Sequence, residues 1–165
     1  MRRILLTCTL AFTLLPVFGG EGKAPPMDKE KSLLIDYVDP FIGTTNFGTT
    51  NPGAVCPNGM MSVVPFNVMG SADNTYDKDA RWWSTPYEHT NCFFTGYSHV
   101  NLSGVGCPEL GSLLLMPTTG ELNVDYKEYG SKYKDEQASP GYYSNYLTKY
   151  NIKTEVSATP RTGIA

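Results

Sequence analysis

Apolar and polar side chains alternate along the last third of the chain, and this alternation predicts antiparallel strands. Tyr142–Tyr150 and Ile152–Thr159 both repeat with a period of two, and Asn151 between them is a typical turn residue. One face of the second segment would carry Ile152, Thr154, Val156 and Ala158, and the other Lys153, Glu155, Ser157 and Thr159. An apolar face opposite a polar face is typical of a half-buried antiparallel strand.

Short apolar runs upstream predict further strands. Met60–Phe66 and Asn91–Ser98 are rich in β-forming residues, and Ser112–Met116 is a continuous apolar run that favours a fully buried strand. Pro117–Gly120 is a turn sequence, and the alternating Glu121–Tyr126 would be the hairpin partner of that strand. We therefore predict an all-β fold, an antiparallel β-sandwich.

The start of the chain predicts a secretory signal peptide over 1–19. Arg2 and Arg3 precede an apolar run that ends at Val17-Phe18-Gly19. A membrane anchor is the alternative, but the run is shorter than the ~20 residues of a spanning helix. The polar stretch 20–36 is expected to be a linker, followed by the sandwich domain over 37–165. A secreted or periplasmic protein with no membrane span after cleavage would result.

Composition supports a folded β-rich domain and argues against a nucleic-acid partner. Charged residues make up 18% of the chain and the formal net charge is -3, whereas nucleic-acid binders usually show a basic stripe. The 16 glycines, 12 prolines and 11 tyrosines suit a turn-rich sandwich better than a helical bundle.

Adjacent tryptophans provide the first candidate ligand site. Trp82 and Trp83 follow Arg81 in a polar stretch. An exposed indole stacks on the apolar face of a sugar ring, and an arginine can bind its hydroxyls. The alternative is that both tryptophans belong to the core.

The second candidate is Gly96–Gly111, which runs from a strand into a glycine-rich loop. If the strand persisted, His99, Asn101 and Ser103 would project from one face towards a ligand. The alternatives are a turn that only connects strands and a structural role for His99. Nothing in the sequence orients His99 against Ser98, Ser103 or Cys107 as a nucleophilic system.

Six short motifs in a fixed order carry a family resemblance. They are Asp39–Thr44 (DPFIGT), Asn51–Ala54 (NPGA), Pro57–Met60 (PNGM), Gly96–Gly111, Ser139–Tyr143 (SPGYY) and Thr154–Gly163 (TEVSATPRTG). Together they resemble the N-terminal domain of glycoside hydrolase family 92, the secreted calcium-dependent exo-α-mannosidases. The similarity spans about Tyr37 to Ala165. The ordered set, above all GYSH through LSGVGC, is more specific than any one motif.

The resemblance implies a larger enzyme than these residues provide. Family members join the sandwich to a helical (α/α)-barrel domain, and the active site lies between the two. The implied reaction is inverting hydrolysis of terminal α-mannosides, for which one carboxylic acid and one carboxylate flank the bond ~6.5–9.5 Å apart. The acid, the base and the calcium ligands come from the helical domain, so we assign no catalytic or metal residue here.

These expectations make the chain the N-terminal part of an exo-α-mannosidase, in particular an α-1,2-mannosidase, with calcium as cofactor. Its partners would be a mannose-containing glycan and its own helical domain. Arg161–Ala165 resembles the entry to another strand, so the sandwich is expected to be incomplete, and the isolated chain inactive. A non-catalytic carbohydrate-binding module is the alternative function.

Six substrate-binding candidates follow from matching positions. They are Gly43, Thr44, Trp82, Trp83, His99 and Cys107. The Gly43-Thr44 loop resembles the family's loop near the bound mannose, either tryptophan would form a pocket wall, and the segment with His99 and Cys107 matches the family's domain interface. The chain has Thr45-Asn46 where the family is richer in glycine, and Val100-Asn101 where Thr-His is common. These departures bear on linkage preference.

Overall fold

The computed structural model describes residues 33–45, 50–68, 86–101, 111 and 113–165. The predicted signal peptide over 1–19 and most of the predicted linker over 20–36 lie outside the described residues. Leu34–Tyr37 forms a short 3-10 helix where the description begins. None of the helices within the described ranges has the length and apolar character needed to cross a membrane.

Two antiparallel sheets make up the described part of the fold. Their strands are β1 (Ala54–Val55), β2 (Ser62–Phe66), β3 (Phe93–Phe94), β4 (Gly96–His99), β5 (Leu113–Leu115), β6 (Ser131–Ser139), β7 (Tyr142–Leu147), β8 (Ile152–Ala158) and β9 (Gly163–Ile164). The first sheet has the order β1-β2-β4-β5, and the second has the order β3-β6-β7-β8-β9. The predicted all-β antiparallel sandwich is confirmed.

The core lies between the two sheets and contains aromatic side chains from both. Phe94 of the second sheet contacts Tyr97 of the first with ring centroids 4.9 Å apart, and Tyr97 contacts Tyr143 of the second at 6.0 Å. Burying each such side chain stabilises the fold by about 1.5–3 kcal/mol. The buried core residues are Ala54, Val63, Phe94, Tyr97, Tyr143, Leu147, Val156 and Ala158.

The hairpin of β7 and β8 confirms the prediction from alternation. Thr154, Val156 and Ala158 are buried, whereas the residues between them are exposed. Asn151 has a φ of 58° in the turn, a left-handed conformation that asparagine tolerates better than most residues.

The predicted strand Asn91–Ser98 is divided between the sheets. β3 belongs to the second sheet and β4 to the first, so the chain crosses over at Thr95. Gly96 has a φ of 145°, and a Cβ there would lie 2.9 Å from the Leu115 carbonyl oxygen. The crossing therefore requires glycine at this position.

Two predictions on either side of residue 117 are wrong. Leu113–Leu115 forms a strand, but its side chains are exposed rather than fully buried, because β5 is the edge strand of its sheet and no described element covers it. Glu121–Tyr126 is not a strand. The Asn123 side chain accepts a hydrogen bond from the Asp125 backbone N–H, and Asp125 caps a short helix, α1 (Tyr126–Tyr129). Such local bonds compete with strand pairing.

Candidate functional site

Hydrogen bonds fix the loop that contains Gly43 and Thr44. Gly43 has a φ of 80°, and a Cβ there would lie 2.8 Å from Thr50 Oγ1, so the loop requires glycine. Thr44 is buried, and its hydroxyl donates to the Phe41 carbonyl over 2.7 Å. The Thr44 carbonyl accepts a hydrogen bond from the His89 backbone N–H over 2.9 Å. The loop is thereby attached to the segment that carries His89.

The imidazole of His89 lies at the surface beside this loop. Its side chain is 45% exposed, and its ring centroid is 4.9 Å from that of Phe41. Nδ1 lies 2.8 Å from the Tyr87 hydroxyl oxygen and 3.5 Å from Glu136 Oε2. One edge of the ring therefore faces a phenol and a carboxylate whose side chain is only 13% exposed.

A β-bulge in β6 directs Glu136 towards His89. The register of β6 against β7 shifts between Lys134 and Gln137, so that two residues of β6 face one of β7. Asp135 has a φ of 53° at this point, and aspartate is one of the few residues that tolerate it. Tyr133 and Glu136 are three residues apart, and a regular strand would place their side chains on opposite faces because side chains alternate. Both side chains are nevertheless partly buried, as expected when a bulge interrupts the alternation.

Two buried tyrosines satisfy the carboxylate of Glu136. Oε1 accepts hydrogen bonds from the Tyr87 hydroxyl over 2.8 Å and the Tyr143 hydroxyl over 2.5 Å. Burial raises the pKa of both tyrosines above the ordinary value of about 10, and the charge of Glu136 raises it further. Both hydroxyls therefore keep their protons at neutral pH and remain donors to the carboxylate.

The polar network continues through the core to the first sheet. Asn145 donates to the Tyr143 hydroxyl over 3.4 Å, and Tyr97 donates to Asn145 Oδ1 over 3.2 Å. The Tyr97 hydroxyl also lies 2.6 Å from Thr154 Oγ1. Because buried polar groups are costly when unpaired, this network fixes how the two sheets meet behind the site.

Asn67 holds the segment that precedes His89. Its side chain donates to the Glu88 carbonyl over 2.9 Å and accepts from the Glu88 N–H over 2.8 Å. Its backbone N–H donates to the Pro86 carbonyl, and its carbonyl accepts from the Asn91 side chain. These bonds on both sides of His89 restrict the position of the histidine.

His99, a predicted substrate-binding residue, lies away from this cluster. It is 9% exposed, and its Nδ1 is 3.3 Å from the Leu113 carbonyl oxygen. His99 pairs with Val63 at one end of β2, whereas Asn67 and the His89 segment lie beyond the other end. The structure brings Gly43 and Thr44 together with His89 instead.

The other candidates are only partly described. Trp82, Trp83, Cys107 and Ser103 lie outside the described residues. β4 ends at His99 and Val100 has a φ of 59°, so Asn101 does not continue the strand. Its side chain instead donates to the Ser98 hydroxyl over 2.5 Å.

Side chains that commonly ligate metal ions do not cluster among the described residues. Among them, no three His, Cys, Asp or Glu side chains are grouped so that they could hold a metal ion. The Glu136 carboxylate, which is the acidic group of the cluster, already accepts two tyrosine hydroxyls.

Sequence reasoning did not identify His89 or Glu136. They are far apart in the chain, and they meet only because the Asn67-bound segment passes over β6 at its bulge. The sequence does show that Tyr87 and His89 are separated by one residue, which would place them on the same face of a strand. This spacing is too common to indicate a site by itself.

Comparison with protein families agrees with this architecture. The described domain is a β-sandwich of two antiparallel sheets. Its candidate ligand site lies beyond one end of the core, where the Gly43-Thr44 loop meets the half-exposed His89. A family model described as "Glycosyl hydrolase family 92 N-terminal domain" matches residues 37–165. The chain belongs to glycosyl hydrolase family 92, a family of glycosidases, and the predicted resemblance is confirmed.

Solved structures with similar folds include family 92 mannosidases. The alpha-mannosidase BT3965 from Bacteroides thetaiotaomicron is 33% identical over 78% of this chain and 17% of that chain, with a TM-score of 0.66. A second structure of that enzyme contains mannoimidazole. The family enzyme ccman5 is 29% identical over 78% of this chain and 18% of that chain, with a TM-score of 0.60.

A further similar structure is that of the family 92 inverting mannosidase BT2199 from Bacteroides thetaiotaomicron. It is 25% identical over 78% of this chain and 17% of that chain, with a TM-score of 0.55. The chain thus spans less than a fifth of the length of these family 92 enzymes. A search of curated proteins found no match.

Proposed function

We propose that this domain forms one wall of the sugar pocket of a secreted or periplasmic exo-acting α-mannosidase. The complete protein would hydrolyse terminal α-mannosides of glycans with inversion, preferably α-1,2 linkages. The observation that carries the proposal is the family match over 37–165, together with similar structures that include mannosidases. The structure of BT3965 in complex with mannoimidazole supports a mannose-like ligand.

The geometry of the Gly43-Thr44 loop supports a role in binding. The loop is fixed by hydrogen bonds to the His89 segment, and the Phe41 ring packs beside the imidazole. An apolar ring face next to a polar nitrogen suits a sugar, which presents both C–H faces and hydroxyl groups. Trp82 and Trp83 remain predicted pocket walls, and His99 and Cys107 remain predicted contacts near the domain interface.

Exposed apolar side chains support a second domain as the partner. Leu113, Leu114 and Leu115 are 52%, 39% and 44% exposed, and an uncharged edge strand of this kind is a liability unless it is covered. We propose that the helical domain of the complete protein covers this strand. That domain would also supply the catalytic acid and base and hold calcium against the sugar.

Hydrolysis of an aryl α-mannoside by the complete protein tests the proposal. We expect release of mannose initially as the β-anomer, observed by proton NMR, and loss of activity after chelation that calcium restores. The isolated chain should show no hydrolysis. Full activity after exhaustive chelation, or initial release of the α-anomer, would contradict the mechanism.

A carbohydrate-binding module is the second candidate function. It is favoured by the Phe41 ring that packs beside the half-exposed His89 imidazole, an arrangement that suits a sugar whether or not it is cleaved. It predicts that the isolated chain binds mannan, and that the complete protein binds α-mannosides without hydrolysing them.

A further inference from the structure

The two ring nitrogens of His89 have different surroundings. Nδ1 faces the Tyr87 hydroxyl at 2.8 Å and Glu136 Oε2 at 3.5 Å. Within the described ranges, Nε2 has no hydrogen-bond partner, and the side chain is 45% exposed. One nitrogen is therefore turned inward, and none of the described residues occupies the other.

The hydrogen bonds around Tyr87 fix the tautomer of His89. Tyr87 has a single hydroxyl proton, and it donates that proton to Glu136 Oε1 over 2.8 Å, since a carboxylate is a stronger acceptor than an imidazole or a phenol. The bond between Tyr87 and His89 must then be donated by Nδ1–H. An unprotonated Nδ1 would also direct its lone pair at the Glu136 carboxylate. Both contacts favour the tautomer with the proton on Nδ1.

The position of the ring points to the Gly43-Thr44 loop. The His89 backbone N–H donates to the Thr44 carbonyl over 2.9 Å, and the Phe41 ring lies 4.9 Å from the imidazole. A neutral imidazole with Nδ1 protonated offers the lone pair of Nε2, which accepts a hydrogen bond from a hydroxyl group. Phe41 adds an apolar surface beside it.

We propose that His89 binds the glycan directly, with Nε2 accepting a hydrogen bond from a sugar hydroxyl. Glu136 is a positioning residue that holds the Nδ1-protonated tautomer, and the β6 bulge at Asp135 places it there. This inference rests on the proposed function, because it takes the ligand to be the α-mannoside of that pocket. It adds a binding residue that lies in none of the family motifs noted in the sequence.

Nitrogen-15 NMR of the chain tests the tautomer. The chain contains 2 histidines, and the variant His89→Asn distinguishes their signals. At pH 8 we expect His89 to carry its proton on Nδ1, and Glu136→Gln to move protons to Nε2, because the new amide can donate to Nδ1. A predominantly Nε2-protonated His89 in the wild type would overturn the inference.

Two substitutions in the complete protein test the sugar contact. Asparagine places an amide nitrogen near the position of Nδ1 and nothing at Nε2, whereas glutamine reaches the position of Nε2. We expect His89→Asn to lower kcat/KM for an aryl α-mannoside about tenfold, the loss of one good hydrogen bond, and His89→Gln to retain activity within about threefold. Equal melting temperatures of the two variants would show that the loss of kcat/KM does not come from a loss of stability.

The outcomes distinguish the inference from the proposed function. If wild-type protein neither binds nor hydrolyses α-mannosides, the proposed function fails and this inference fails with it. If wild type is active and His89→Asn is equally active, His89 does not bind the substrate and the proposed function stands. If both variants lose activity equally without loss of stability, a hydrogen bond to Nε2 does not explain the activity, and the inference is wrong.

Discussion

Tyr143→Phe tests whether the buried network behind His89 stabilises the domain. Tyr143 is fully buried and its hydroxyl donates to Glu136 Oε1 over 2.5 Å. Removing a hydrogen bond to a charged group costs about 1.5–3 kcal/mol. The weaker bond from Asn145 at 3.4 Å adds about 0.5 kcal/mol at most. Phenylalanine keeps the ring contact with Tyr97, so the expected loss is about 2–3 kcal/mol.

Urea unfolding followed by circular dichroism measures this loss. With m near 2 kcal/mol/M, the midpoint should fall by roughly 1–1.5 M without a change in m. The matched control is Tyr142→Phe. Tyr142 is the neighbouring residue, and it donates to Glu155 over 2.6 Å at the surface, so its loss should cost about 0.5 kcal/mol or less. If the two variants shift the midpoint equally, the network does not stabilise the domain as argued.

Three further predictions concern the bulge, alkaline pH and the edge strand. Asp135→Gly should change the free energy of unfolding by less than about 1 kcal/mol, whereas Asp135→Val should lower it by about 1–2 kcal/mol, because a β-branched residue is strained at a φ of 53°. Thermal melts would compare the two variants, and equal melting temperatures would refute the strain argument. Tyr87 and Tyr143 keep their protons above pH 10 when folded and lose them near pH 10 when unfolded. Below about pH 9 these tyrosines should therefore not affect the pH dependence of the free energy of unfolding. Above pH 10 each of the two should lower that free energy by up to ~1.4 kcal/mol per pH unit. A urea midpoint that stays constant from pH 9 to 11 would contradict this. Leu114→Glu should raise the solubility of the chain but weaken the packing of the proposed helical domain on β5 in the complete protein. Thermal melts and hydrolysis of the aryl α-mannoside would measure this effect, and full stability and activity would show that the proposed domain does not cover β5.

The hairpin of β7 and β8 could be predicted because its pattern is local. Alternation along Ile152–Thr159 specifies which face is buried, and Asn151 marks the turn. β6 gave no such signal, because its bulge places Tyr133 and Glu136 on one side and breaks the period of two. The exposure of Leu113–Leu115 could not be predicted either, since it depends on which strand occupies the edge of the sheet.

The candidate site was predicted in part for the same reason. Gly43 and Thr44 follow from a motif that is continuous in sequence. His89 and Glu136 become neighbours only through the packing of two distant segments, and their chemistry depends on the direction of hydrogen bonds between them. His99, which the motif also suggested, is instead buried against the Leu113 carbonyl.

A crystal structure of the complete protein with mannoimidazole, the ligand seen in the BT3965 complex, tests the central claim most directly. We predict that the ligand contacts the Gly43-Thr44 loop, with a hydroxyl within hydrogen-bond distance of His89 Nε2. A bound mannoimidazole that touches no residue of this domain would contradict the proposal that these strands form a wall of the sugar pocket.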